Sequence, residues 1–299
     1  MNAQPRVSIC IPAYNAGRFI GETLASVRRQ EFQDWELIVT EDGSDDGTAE
    51  IVNTFAGTVS QGVRYECHTK NMGLPATRNT GIGSAGGEWI ALLDSDDLWM
   101  PTHLGDLLGT ALRTGADIVH AGSILFDSDT GTPIETRAPS PEVVADFPRS
   151  LFVARYIIQP ASVLMRRSAW EKVGGFNPDF RYVEDREMWM RCARAGLKFA
   201  YTGRETCLYR KHSGALSARA AEMAEAAAAV FDQHLDWELI PRELRHQQAA
   251  DAWTAAAMLR QRTLPRVAAS HYLRACSIRW SLEGWLRGKA CSVLGLVCR

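Results

Sequence analysis

Up to about residue 126, two spacings of apolar residues alternate along the chain. Residues 7–12 (VSICIP) form a short, β-rich apolar run, and Phe19, Ile20, Leu24 and Val27 then recur at helical spacing over 17–30. ELIVT (36–40) reads as a buried strand. GTAEIVNTF (47–55) reads as a helix, with Asp46 or Thr48 near its start as a cap. VRYEC (63–67) is a third strand, a helix runs from about Leu74 to Ala85, and EWIALLD (88–94) is a fourth strand. PTHLGDLLGTALRTG (101–115) predicts a helix with Pro101 at its first position and Gly115 at its end. ADIVHAGSILF (116–126) closes the series as a strand.

The pattern then breaks. Pro133, Pro139, Pro141 and Pro148, among Ser, Thr and Asp, predict a loop over 127–150. Short mixed elements follow to about 212, and 216–299 read as helical, punctuated by Pro241 and Pro265.

Strand–helix alternation implies the α/β class, with a mostly parallel sheet covered on both faces. Ligands bind such sheets at the carboxyl ends of the strands. Tyr14, Glu41–Ser44, the 68–73 segment and Asp94–Asp97 therefore belong to one rim.

Composition narrows the field. A length of 299 residues allows one large domain, or one with a smaller appendage, and 46% hydrophobic with 23% charged residues is ordinary for a globular protein. A net charge of -2 supplies no basic field for nucleic acid. Seven cysteines at irregular spacings, with no Cys-x-x-Cys pair, point to reduced thiols and a cytoplasmic setting. The apolar start is short and runs directly into a strand, which is not a signal-peptide pattern, and no run of about 18 apolar residues predicts a membrane span.

The strongest chemical signal is LLDSDDLW (92–99), in which Asp94, Asp96 and Asp97 crowd a strand end. Like charges this close need compensation, and a hard divalent cation, Mg²⁺ or Mn²⁺, suits carboxylate oxygens. A turn and helix cap would use the same residue types. EDGSDDGT (41–48) occupies the equivalent place after the second strand, where an acid can accept hydrogen bonds from a base or ribose and glycines permit a tight turn.

IPAYN (11–15), EDGSDDGT (41–48), NMGLPATRNTGI (71–82) and LLDSDD (92–97) resemble, in order and spacing, the inverting glycosyltransferases of family 2. The resemblance covers about residues 5–215. It implies a GT-A fold: a Rossmann-like, mostly parallel central sheet flanked by helices, with residues 1–126 for the nucleotide sugar and 127–215 for the acceptor. Residues 216–299 would form a helical C-terminal region.

By that resemblance Pro12 and Tyr14 line the base. Glu41 and Asp42 are the acidic pair near base and ribose, although two aspartates often open this motif in the family, so Glu41 changes the reach. Asn71 and Arg78 lie on the donor side, Asp94 supports ribose or sugar, and Asp96 and Asp97 hold Mn²⁺ or Mg²⁺, with Asp97 as the direct ligand. Glu184 and Asp185, in FRYVEDREMWMRCARAG (180–196), resemble the family's Glu-Asp pair, so Asp185 is the expected base and Glu184 assists it or contacts the acceptor. His212, in YRKHSGALS (209–217), is a candidate for the metal or diphosphate, and Arg210 and Lys211 would add positive charge. GGF (174–176) matches another family feature. Trp170, Phe176 and Trp189 are either an acceptor-stacking surface or core.

Residues 216–299 match no motif of that family. Trp280, Leu282, Trp285 and Leu286 beside Arg279, Arg287 and Lys289, followed by ACSVLGLVC (290–298), suit a helix lying on an anionic membrane, packing on the catalytic part, or a homodimer contact. The residues at 276–280 read CSIRW, not Gln-x-x-Arg-Trp, which argues against a processive synthase.

The expected activity is thus metal-dependent, inverting transfer from a UDP- or dTDP-linked sugar to a hydroxyl of a glycan, lipid-linked or other acceptor, in surface-glycan or cell-envelope synthesis. Two rivals differ in class. A sugar-1-phosphate nucleotidyltransferase needs a Gly-rich basic loop after the first strand, where this chain has AYNAGRF. A sugar-nucleotide-binding protein without activity would not need the acids at 94, 96, 97 and 185.

Overall fold

The structure is a computed structural model that describes residues 5–212 and 219–297, with side chains to 293. The chain forms two compact units, one of residues up to 147 with 156–212, the other of 148–155 with the residues beyond 212. The expected boundary at 215–216 and Cys298 lie outside the described residues.

In the first unit, β1 (Val7–Ala13), β2 (Trp35–Glu41), β3 (Val63–Cys67) and β4 (Trp89–Leu92) are linked by α1 (Ile20–Arg28), α2 (Thr48–Ala56) and α3 (Leu74–Ser84). These four strands are parallel, in the order β3-β2-β1-β4. β1, β2 and β4 are buried along their whole length, which explains their nearly unbroken apolar runs. The strand order reverses between β1 and β4, and the carboxyl ends of strands at such a switch point are where sheets of this kind bind ligands.

The remaining strands are β5 (Leu98–Trp99), β6 (Ile118–Asp127), β7 (Pro133–Arg137), β8 (Val163–Arg166) and β9 (Phe199–Lys211). β8 lies between β4 and β6 and is antiparallel to both, β9 runs parallel to β6, and β5 runs antiparallel to β9. α4 (His103–Thr114) turns Leu104, Leu107, Leu108 and Ala111 into the core at helical spacing, each leucine contributing about 2 kcal/mol of burial.

Three local expectations need correction. The α4 helix starts at His103, so Pro101 stands before it. Gly47 holds the cap position just before α2, which starts at Thr48; Asp46, one residue earlier, accepts from the Thr48 backbone and hydroxyl through Oδ1 and from the Gly17 backbone through Oδ2. The 127–150 stretch holds β7, α5 (Pro141–Ala145) and the beginning of α6 (Arg149–Phe152). Its prolines sit where each element tolerates them, Pro133 at a strand start and Pro141 in a first helical turn behind the Ser140 cap.

α7 (Arg167–Val173) and α8 (Glu184–Arg194) complete the first unit. In the second, α6 joins α9 (Ala220–Gln233), α10 (Arg242–Arg260), α11 (Pro265–Ile278) and α12 (Leu282–Val297). Phe152 meets Phe231 edge-on at 5.4 Å between ring centres. Small residues, Ala257, Ala268, Ala269 and Cys291, surround Tyr272 in a separate core. The six cysteines among the described residues are free thiols. No helix among the described residues is long and apolar enough to cross a membrane.

Candidate active site

The rim is built from strand ends. Pro12 is buried in β1, and Tyr14, just beyond it, is exposed. The Asn15 backbone donates to Ser44 Oγ at 2.9 Å, tying the loop after β1 to the loop after β2. Ser44 Oγ donates in turn to Glu41 Oε1, and Glu41 Oε2 is buried without a hydrogen-bond partner. Burial pushes the Glu41 carboxyl up, against the bonds from Ser44.

Asp42 organises the next loop. Its carboxylate accepts from the backbone N–H groups of Met72 (2.7 Å) and Gly73 (2.8 Å) and pairs with His68 Nδ1 at 2.8 Å, while His68 Nε2 reaches Thr80 Oγ1. Asn71, one residue earlier, is exposed on the rim. Gly43 passes so close that a Cβ there would lie 2.7 Å from the Lys70 carbonyl carbon, and its φ is +77°, so only glycine fits.

The expected donor-side Arg78 is 2% exposed and lies between carboxylates. One guanidinium nitrogen donates to Asp94 Oδ1 at 2.6 Å, the other donates to Glu184 Oε1, and Phe176 lies against its face at 5.4 Å. Burial works against its charge, but Asp94 and Glu184 outweigh burial and hold the guanidinium above its usual range. Glu184 and Asp185 open α8 behind Val183, whose φ of +53° is strained for a β-branched residue. Burial lifts the Glu184 carboxyl to about 7, with Arg78 opposing and Asp185 reinforcing the shift. Asp185 is also raised by burial, despite the hydrogen bond it accepts from the Arg186 backbone.

The aspartate turn shows a division of labour. Asp97 is 1% exposed, accepts from the Arg210 backbone N–H at 2.8 Å through Oδ1, and leaves Oδ2 buried without a partner. Burial, then Asp96 and Asp94, push its carboxyl well up. The Asp96 side chain is 32% exposed, and its Oδ2 lies 2.9 Å from His212 Nε2. Burial and Asp94 raise Asp96, and His212 opposes them. His212 packs its ring 4.9 Å from that of Phe19. The part of its loop beyond 212 lies outside the described residues.

Arg210 does not offer its charge to the rim. It is 4% exposed, donates to the Asp96 carbonyl (2.7 Å) and to Glu22 (2.8 Å), and so braces the turn. Phe176 and Trp189 are buried against each other and cannot form a stacking surface; the sequence left this open because tryptophans in α/β cores look the same. Trp170 is half-buried, with its indole N–H on Asn79. Sequence reasoning missed His68 and Glu22. His68 follows β3 at the rim, a placement that was legible; Glu22 is indistinguishable from any first-turn acid. Among the described residues, no three His, Cys, Asp or Glu side chains are grouped ready to enclose a metal.

Residues 8–174 match the family described as Glycosyl transferase family 2. The chain is 28% identical over 203 residues to the putative glycosyltransferase EpsE of Bacillus subtilis, covering 66% of this chain and 70% of EpsE. It is 29% identical over 208 residues to the putative teichuronic acid biosynthesis glycosyltransferase TuaG of the same organism, covering 69% and 79%. The fold is similar to that of S. aureus TarS in complex with UDP-GlcNAc, with a TM-score of 0.67 at 18% identity over 95% of this chain and 79% of the other. It is also similar to the mannosyltransferase PcManGT from Pyrobaculum calidifontis in complex with GDP-Man and Mn²⁺, with a TM-score of 0.62 at 19% identity over 99% and 88%.

Proposed function

The chain belongs to glycosyl transferase family 2, and from that premise we propose that this GT-A glycosyltransferase moves a sugar from a nucleoside-diphosphate donor to an acceptor hydroxyl with inversion, using Asp185 as base. The observation that carries the reading is the Arg78 bridge. It joins the segment after β4, through Asp94, to the start of α8, through Glu184, and so keeps Asp185 near the carboxyl end of β4.

In this reading Tyr14 and Asn71 meet the nucleoside from exposed positions on the rim. Pro12, Glu41 and Asp42 support them, Asp42 by fixing the backbone at 72–73. Asp185 takes the proton from the acceptor hydroxyl. The oxygen attacks the anomeric carbon, and the bond to the diphosphate breaks on the opposite face. A carboxyl raised by burial is a stronger base once ionised, which suits proton removal near neutral pH.

A divalent cation fits the remaining groups. Asp96 Oδ2 and His212 Nε2 converge, three neighbouring carboxylates repel one another, and an oxygen–imidazole pair suits Mn²⁺ at least as well as Mg²⁺. Asp96 and His212 would hold it; Asp97, expected from the sequence as the direct ligand, has Oδ1 on the Arg210 backbone and Oδ2 buried, and so would support them from behind. Bound there with phosphate oxygens and water, the cation would supply charge neutralisation for the leaving diphosphate.

The name of TuaG, a putative teichuronic acid biosynthesis glycosyltransferase, supports a role in cell-envelope glycan synthesis. A UDP- or dTDP-linked donor is the expectation, with a glycan or lipid-linked acceptor.

The test is a donor screen. Purified protein is mixed with Mn²⁺ or Mg²⁺ and a panel of nucleotide sugars, and nucleoside diphosphate release is followed. Release should stop with chelator and with Asp96→Ala. Asp185→Asn should lower kcat about 10²–10⁴-fold while donor still raises the Tm. A panel in which no nucleotide sugar raises the Tm would overturn the reading. An α-linked product from an α-linked donor would overturn inversion alone.

A further inference from the structure

The α12 helix is turned the opposite way from an ordinary surface helix. Its buried seam is Gly284, Gly288 and Cys291, which lie on α11. The approach is close: a Cβ on Gly288 would come 3.2 Å from Tyr272 Cβ, and one on Gly284 would come 3.1 Å from Cys276 Sγ. The large apolar side chains face outward. Leu282, Trp285, Leu286 and Val293 are all exposed at helical spacing, and Trp280, just before the helix, is 69% exposed. A globular helix normally buries this stripe and exposes the small residues.

Charge says what covers it. Residues 260–299 carry eight Lys and Arg (Arg260, Arg262, Arg266, Arg274, Arg279, Arg287, Lys289 and Arg299) and one acid, Glu283. The whole chain has 33 cations and 35 anions, so the remainder is strongly acidic. Of the eight Lys and Arg, Arg260 pairs with Glu225, Arg274 with Asp232, and Arg287 with Glu283 at 2.7 Å. Arg279 and Lys289 are exposed beside the apolar stripe, and the Lys289 ammonium lies 5.6 Å from the Trp285 ring centre.

We propose that the outer face of α12 docks on an anionic lipid bilayer, with Trp280, Leu282, Trp285 and Leu286 entering the interface and Arg279 and Lys289 meeting lipid phosphates. Tryptophans flanked by cations favour the headgroup boundary, where an apolar ring and a polar tip are both satisfied. A second copy fits less well. A two-fold contact through this face would bring two cation-rich faces together. The inference stands apart from the sugar-transfer reading, since none of these residues belongs to the catalytic unit.

The test is flotation of the full chain with phosphatidylcholine vesicles that contain roughly one-third phosphatidylglycerol. The protein should float with these vesicles, float weakly with pure phosphatidylcholine, and detach as salt rises. Trp285→Ser with Leu286→Ser, and separately Arg279→Glu with Lys289→Glu, should each cut the bound fraction about tenfold. Circular dichroism checks the fold of both; if the serine pair unfolds, the charge-reversal pair, at exposed positions, carries the test alone. No flotation, or equal flotation by folded variants, overturns the proposal. So does a dimer in light scattering that either variant converts to monomer, because a second copy would then own the face.

Discussion

Arg78 shows how one side chain sets the chemistry of its neighbours. A guanidinium between two carboxylates orients them and also decides how readily they ionise. Glu184 sits at about 7 because burial lifts it further than Arg78 can lower it. Arg78 also holds Asp185 down against burial. Removing the cation makes both acids harder to ionise, so their pKa values rise. If Asp185 must be ionised to act, the acidic limb of the kcat/KM profile should move to higher pH in Arg78→Met, by about one unit or more. Arg78→Lys should restore part of the shift, because it keeps the charge but loses the paired donors. A pH–rate profile checks this; a slower enzyme with an unmoved limb would mean that Arg78 acts only as a brace. The sequence marked Arg78 as a site residue on the donor side. Its partners were hidden because Glu184 lies 106 positions away along the chain, beyond any local spacing rule.

At the level of elements, the first four strands and their helices were legible because a buried parallel strand is an unbroken apolar run and the crossover helices keep helical spacing. The other half of the sheet was not. β7 reads PIETR, mostly exposed, and its pairing with β6 rests on backbone bonds that leave no apolar signature. β8 is only four residues long, and nothing local says that it inserts beside β4. The same divide runs through the site. Motifs at the strand ends were readable, whereas the bracing of the aspartate turn by Arg210 depends on β9 passing next to it. The turn after β2 is a tight element junction. Gly43→Val would place a branched side chain at φ +77° against the Lys70 backbone, so the turn must open and Asp42 must release 72–73. A loss of about 1–3 kcal/mol, read as a lower Tm, should come with weaker nucleotide binding by calorimetry. A variant with wild-type Tm and affinity would show that the loop tolerates the shift.

Across the whole molecule, acid stability is a contest between buried groups of opposite habit. His120, bonded to Tyr156 at 2.6 Å, is pushed by burial from 6.5 down to about 4, and His103 is pushed down to about 3. Both stay neutral in the fold while the unfolded chain takes up protons below 6.5, so each costs about 1.4 kcal/mol per pH unit as pH falls from there toward its folded value. The raised carboxyls at 97, 184 and 185 work the other way, because the fold takes up their protons first. A variant isolates one contributor. His120→Gln should melt below the wild type at pH 8 for loss of its buried contacts, and the gap should narrow as pH drops from about 6.5 toward 4. A gap of constant width would mean that His120 is not kept neutral.

The placement of β8 also has a consequence for the order in which the protein can be made. As the chain leaves the ribosome, β1 to β4 can assemble early, but β4 then waits for a partner that emerges about 70 residues later. During that interval the growing sheet carries an open, apolar edge, and β6, already synthesised, is a tempting wrong neighbour. A message cut short before Val163 would therefore yield a sticky half-sheet rather than a smaller soluble enzyme. Slowing of synthesis just before that point would lengthen the most hazardous moment in the life of the molecule.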